Sequence, residues 1–355
     1  MTSIFLPPST VNASHRLLRP GMGTLYFVHT DELLHLSPRL AAVRPKLTMK
    51  VRGNQMRKTP RFTPKILQRF TTEGRGHGTY TNYIAWHQVR RSDPSSMGRS
   101  HIQNWRGRQH DLLSDQELMA FLFSTMHPEV VDIREQMPLQ LEAGRHELAA
   151  YCIDTPASSF PGTIEIAEQM GIKHPIVRYR AETAHWVMTT DLLLTLKNAS
   201  GNMRLLAISV KPSELTPEKC RSMELLSLER EYWAHRGVPW LFITSNLYDS
   251  LVGERLRATS DWAWGDAFNA SLLDWMVEQK HRFDRRTLTQ ILDSAVTQCG
   301  SMQVAQDTFW RGIWTGRLHF DLRRSWRPSA PFVLISPSQF WKQNPIVSER
   351  SSWSH

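Results

Sequence analysis

The chain has 355 residues, of which 41 % are hydrophobic. That length admits two domains with separate cores, and the composition excludes wholesale disorder. Lys and Arg outnumber Asp and Glu by 43 to 33, a formal charge of +10, which favours phosphate-bearing partners but is also met in merely basic soluble proteins. Apolar runs such as 240–244 and 332–335 are far too short to cross a bilayer, and residues 1–8 lack the features of a secretion signal. The three cysteines, Cys152, Cys220 and Cys299, are scattered without metal-ligand spacing, which argues against zinc and suits a reducing cytoplasm.

Residues 1–60 carry nine Lys or Arg against only Asp31 and Glu32, and prolines 7, 8, 20, 38, 45 and 60 interrupt any long element. This stretch reads as a basic, partly ordered arm, or as an upstream extension before a start at Met49 or Met56. Globular texture begins near residue 70. Gly74-Arg75-Gly76-His77-Gly78 is a tight basic loop whose Arg75 and His77 suit phosphate contact or a structural turn. It lacks the Gly-Lys-Ser/Thr ending of a nucleotide-binding loop. Ser114-Asp115-Gln116-Glu117 opens a helix with Leu118, Phe121 and Leu122 on one face, stopped by Pro128. A short strand over 130–134 and a short helix around Ala167 and Gly171 come next.

The clearest β signal is the pair 187–196 and Met203–Val210, joined by residues of hairpin-loop composition. A long helix over 217–235 and a buried strand over 238–244 complete a helix, hairpin, helix, strand order, which describes an α/β domain with a small mixed sheet. In that helix Glu224, Glu229 and Glu231 read as a solvated face, and His174 before Pro175 as a turn residue. Beyond residue 250, three helices over 271–281, 285–298 and 301–314 precede two short strands around a basic tip at Arg323, Arg324 and Arg327. A winged helix and a generic helical accessory domain both fit. The tail after Lys342 is polar and reads as frayed.

Asp191 interrupts an apolar strand, where a carboxylate is costly unless paired or metal-bound. Lys211 closes the next strand, and alternation puts Ser209 and Lys211 on one face, close to Asp191. A structural ion pair at the sheet rim fits, and so does a site for phosphodiester hydrolysis. In the latter, carboxylates hold a hard cation and a lysine supports the attacked phosphate. Glu117 is the best third member, although Ser114 and Glu117 also have capping-box spacing.

Thr190-Asp191-Leu192 through Ile208-Ser209-Val210-Lys211-Pro212 resembles the catalytic core of TnsA-type transposase endonuclease subunits. Leu228-Glu229-Arg230-Glu231-Tyr232-Trp233, leading into Val238-Pro239-Trp240-Leu241-Phe242-Ile243-Thr244, is similar to the same family. So, in the same order, are Glu73 to Gly78, Leu112 to Leu118, Asp132 to Gln136 and Gly171 to Pro175. The resemblance implies a restriction-endonuclease-like mixed sheet flanked by helices over 61–248, followed by a winged-helix-like α+β domain over 249–345. It implies a DNA endonuclease dependent on Mg2+, with Mn2+ as a substitute, cutting the 5′ ends of a mobile element. Its partners would be transposon-end DNA, a DDE-type transposase and an AAA+ ATPase regulator, in the bacterial cytoplasm with no membrane.

Carried over by residue, Glu117 and Asp191 fall on metal carboxylates and Lys211 on the catalytic lysine, and the Val210 carbonyl is a further oxygen of the kind hard cations accept. Arg75, His77 and Lys173 are, on their basic character, the candidates for DNA contact. The departure is Ser209, where the family usually has glutamine or a carboxylate-like ligand. A weakened site, in a subunit kept for DNA binding and assembly, is therefore the alternative.

Overall fold

The structure, a computed structural model, describes residues 61–91, 93, 99–152, 158–212, 220–323 and 327–353. The basic arm over 1–60 and Arg324 of the basic tip lie outside the described residues. Contacts divide the chain between Arg57 and Lys58, and all the described residues belong to the unit Lys58–His355.

Helix α1 (Pro64–Thr72) starts at Thr63, whose side chain accepts from the Ile66 N–H, with Pro64 at the position that needs no donor. A hairpin of β1 (His101–Trp105) and β2 (Arg108–Leu112) is next, then α2 (Asp115–Thr125) and β3 (Val130–Pro138). The two-residue strands β4 (Gly144–Arg145) and β5 (Ser159–Phe160) pair ahead of α3 (Thr163–Gln169). A second small hairpin, β6 (Ile176–Tyr179) and β7 (Glu182–His185), leads to β8 (Thr189–Lys197) and β9 (Met203–Val210), then α4 (Cys220–His235) and β10 (Trp240–Ile243). The expected helix, hairpin, helix, strand order is present. The β1–β2 hairpin and α1 are additions to it, because polar residues such as Gln103 and Gln109 hide the strand pattern.

The central sheet runs β10-β9-β8-β3, with β10 parallel to β9 and the other neighbours antiparallel. Its two faces follow the period of two. Leu192, Leu194, Leu206, Ile208 and Leu241 pack with Leu118, Phe121 and Leu122 of α2. Leu193, Leu205 and Ala207 pack with Leu228, Tyr232 and Trp233 of α4 and Ile166 of α3. This mixed sheet between helices is the architecture of restriction-endonuclease-like folds.

The C-terminal part is helical: α5 (Ser250–Ala263), α6 (Ala270–Phe283), α7 (Leu288–Cys299), α8 (Met302–Trp314) and the short α9 (Pro337–Trp341). Val252, Leu256, Met276, Phe309 and Ile313 continue the α2-side core without a break, and the Trp314 indole N–H donates to Thr125 Oγ1 at 3.0 Å. The C-terminal helices do not form a clear winged helix. Where paired strands were expected, the described residues hold only isolated bridges, Phe320 to Leu334 and Thr287 to Pro331. Two residues after Phe320 the backbone N–H of Leu322 is taken by Gln343 Oε1 (3.0 Å) instead of by a ladder partner. The tail is likewise not frayed. Ile346 is fully buried, Asn344 donates to the Phe123 carbonyl at 2.9 Å, and Ser352 donates its N–H to the Phe242 carbonyl at 2.8 Å. The tail thereby covers the free edge of β10, the device that keeps an edge strand from pairing with another chain.

Candidate active site

Asp191 lies on β8 opposite Gln136 of β3, between the pairs Glu135–Leu192 and Met137–Thr190. Gln136 has φ of +49°, a conformation that costs a non-glycine residue about 1 kcal/mol or more. The alternation of β8 is broken at this point. Thr190 and Leu193, three residues apart, both face α4: Trp233 Nε1 donates to Thr190 Oγ1 at 2.7 Å, and Leu193 shares the core with Trp233. Asp191 is thereby released from the face its parity predicts. Its Oδ2 accepts the Val210 N–H at 2.7 Å and the Lys211 ammonium at 3.3 Å.

Glu117 enters from the first turn of α2. The expected cap is present: Ser114 Oγ accepts the Glu117 N–H at 3.1 Å. The Glu117 carboxylate in turn accepts the Ser114 hydroxyl at 3.2 Å and the Leu113 N–H at 2.9 Å. Capping and site membership therefore coexist in one side chain. Gln136 adds a third donor, its Nε2 lying 3.0 Å from Glu117 Oε2. Burial and the nearby charge of Asp191 push the Glu117 carboxyl up to about 7. Lys211 is shifted the other way from a buried lysine: the charge of Asp191 outweighs burial and raises it.

Ser209 and Lys211 do not act together as alternation suggests. Lys211 lies past the end of β9, its ammonium on Asp191 and its side chain 38 % exposed. Ser209 is fully buried and turned to α4, donating to Glu229 Oε1 at 2.5 Å and accepting from Trp240 Nε1 at 2.9 Å. Glu229 is accordingly not on a solvated face. It is 5 % exposed and also accepts the Thr190 hydroxyl at 2.7 Å. Burial, then the charge of Asp191, pushes it up to about 7. A signal for this existed: Leu225, Leu228, Glu229 and Tyr232 have the i, i+3, i+4, i+7 spacing of a single apolar stripe.

Three carboxyls thus act electrostatically on Lys211. Among the described residues no group of three or more His, Cys, Asp or Glu converges tightly enough to hold a metal. The pair Glu117 and Asp191 still fits a hard cation that keeps several waters, because such ions need only one or two carboxylates. The mutual repulsion that raises Glu117 is what a shared cation would relieve.

The three residues assigned to DNA contact fare differently. Arg75 is 2 % exposed and its guanidinium is taken by Asp93 (2.7 Å), Glu73 (2.7 Å) and the Trp86 carbonyl (3.1 Å). This closes the turn and leaves nothing for a phosphate. His77 and Lys173 are exposed. Neighbouring His174 is buried, within hydrogen-bond distance of Thr163 Oγ1 (3.0 Å) and His185 Nδ1 (3.2 Å). It supports α3 and the β6–β7 hairpin rather than forming a simple turn.

A mixed sheet flanked by helices, with a carboxylate and a lysine across one hairpin, is consistent with a restriction-endonuclease-like core. Residues 127–245 match the family described as TnsA-like endonuclease N terminal. The chain is 36 % identical over 198 residues to the transposon Tn7 transposition protein TnsA of Escherichia coli, a match covering 55 % of this chain and 62 % of that protein. The segment 127–245 is thus similar to TnsA-type endonucleases. No helix among the described residues is long and apolar enough to cross a membrane.

Proposed function

We propose that the protein is the metal-dependent endonuclease subunit of a heteromeric transposase, hydrolysing phosphodiester bonds at the 5′ ends of a mobile element. The observation that carries the reading is the Lys211–Asp191 contact of 3.3 Å across the β8–β9 hairpin, with the Glu117 carboxyl raised beside it. Glu117 and Asp191 would hold Mg2+, or Mn2+ in its place, with the Val210 carbonyl as a further oxygen donor. Bound there, the cation supplies charge stabilisation at the scissile phosphate and a lowered pKa for water. Lys211, partly exposed, positions its ammonium against the phosphate oxygens. Gln136 and Ser114 hold Glu117 at the angle from which it faces Asp191. Glu229 anchors Ser209 and Thr190, keeping β8 and β9 in register on either side of Asp191.

The partners proposed are transposon-end DNA, a DDE-type transposase that processes the 3′ ends, and an AAA+ ATPase regulator, all in the bacterial cytoplasm. The kinship with a Tn7 transposition protein supports this set. A second reading, a subunit kept for DNA binding and assembly, is favoured by one observation: Ser209 is committed to Glu229 and Trp240 and offers no ligand. Nicking of 5′-end-labelled transposon-end DNA, with both partner proteins and Mg2+ present, separates the two. The nuclease reading expects cleavage that Asp191→Ala abolishes while complex assembly persists. Equal cleavage by Asp191→Ala, or none by the native assembly, decides for the second.

A further inference from the structure

The buried arginines around the central sheet come with buried carboxylates. Arg75 has Asp93, Arg108 has Glu135 and Arg236 has Glu147. Arg134 on β3 is different. It is 2 % exposed, its Nε has no hydrogen-bond partner, and one terminal nitrogen reaches the Glu147 carbonyl at a marginal 3.4 Å. The guanidinium carbon sits 5.0 Å over the Tyr151 ring. A buried cation with so little compensation is costly, and the usual remedy is a hydrogen-bonded anion.

Arg134 lines a cleft of about 570 Å³, with His77, Arg145 and His146 in the same wall. The acids of the cleft do not cancel Arg134 and Arg145. Glu147 is committed to Arg236 at 3.0 Å and to the Tyr232 hydroxyl, and Glu142 is exposed at the rim. Arg75 also borders the cleft but is already neutralised by Asp93. We propose that this cleft binds a phosphate group, with Arg134 as its buried fork and Arg145 as its exposed cation. A planar guanidinium whose Nε is unpaired suits a phosphate oxygen. The phosphate comes from a DNA phosphodiester or from free phosphate. The site does not depend on the chemistry assigned to Asp191.

Titration of the full-length protein with inorganic phosphate, followed by calorimetry in chloride buffer, tests this. Saturable binding is expected, weakened about tenfold by Arg134→Gln and by a smaller factor by Arg145→Glu. Arg145 is exposed, so its variant decides the matter if Arg134→Gln does not fold. Displacement of phosphate by a DNA duplex assigns the site to the DNA backbone; phosphate retained in its presence assigns it to free phosphate. Asp191→Asn is expected to bind phosphate as the native protein does, whatever its nicking activity. Absence of binding to the native protein, or binding unchanged in the folded variants, overturns the proposal.

Discussion

Two charged clusters lie on neighbouring parts of the same sheet and behave oppositely. Around Glu135, which is fully buried, Arg108 contributes two bonds of 2.8 Å and His110 a contact of 2.9 Å. Those partners overcome burial and hold the carboxyl down at about 2. Around Asp191, three carboxyls act on one ammonium, and both Glu117 and Glu229 are pushed up to about 7. The first cluster is saturated and serves the fold by fastening β2 to β3. The second holds acids ready to change protonation or to accept a cation, a signature of functional sites. Charges that are buried together are not equivalent; what separates them is whether each has its counter-charge within the protein.

The comparison breaks most sharply at Asp191. Asp191→Ala is expected to lower nicking in the assembled complex by about three orders of magnitude, with assembly and folding retained. Glu117→Gln keeps an acceptor for Ser114 and Leu113, so a cost below about 1 kcal/mol in urea unfolding is expected. Its nicking should nevertheless fall by about a hundredfold or more. Loss of stability with activity intact would reduce Glu117 to a cap.

On the saturated side, Glu135→Gln leaves Arg108 and His110 without their carboxylate, with an expected loss of about 3–5 kcal/mol in chemical denaturation. Because the folded pKa of Glu135 is depressed, its contribution is present above the unfolded value near 4.5 and disappears as pH falls toward 2. Glu229 has the opposite sign. Its folded pKa is raised, so its contribution is full below about 4.5 and is lost as pH rises through 7. Thermal unfolding of Glu229→Gln across pH 5 to 8 should therefore show a flatter pH profile than the native protein. An unchanged profile would mean that Glu229 is as well compensated as Glu135.

Much of this site was legible in the sequence because it lies on strongly patterned elements. Asp191 interrupting a leucine-rich strand and Lys211 at the end of the next place themselves by hairpin pairing alone. Ser114 and Glu117 announce the helix start that brings Glu117 in. Glu229 was hidden by chemistry rather than pattern: a glutamate among Glu224 and Glu231 resembles a wet face, although its spacing belongs to the apolar stripe. Arg75 misleads the other way, its glycine-rich setting suggesting phosphate while Asp93, 18 residues on, takes its guanidinium.

The sequence by itself determined the mixed sheet, the flanking helices, the hairpin that pairs Asp191 with Lys211, and the likeness of 127–245 to TnsA-type endonucleases. Those features rest on local periodicity and on residues whose spacing along the chain sets their spacing in space. Only the tertiary structure decided which charges are paired. The irregularity where Gln136 of β3 faces Asp191 of β8 changes the face of one residue, Ser209 is drawn to Glu229, and Arg134 is left without a carboxylate. Each outcome depends on partners contributed by other elements, and burial among them sets whether a charged group serves the fold or remains open to a ligand.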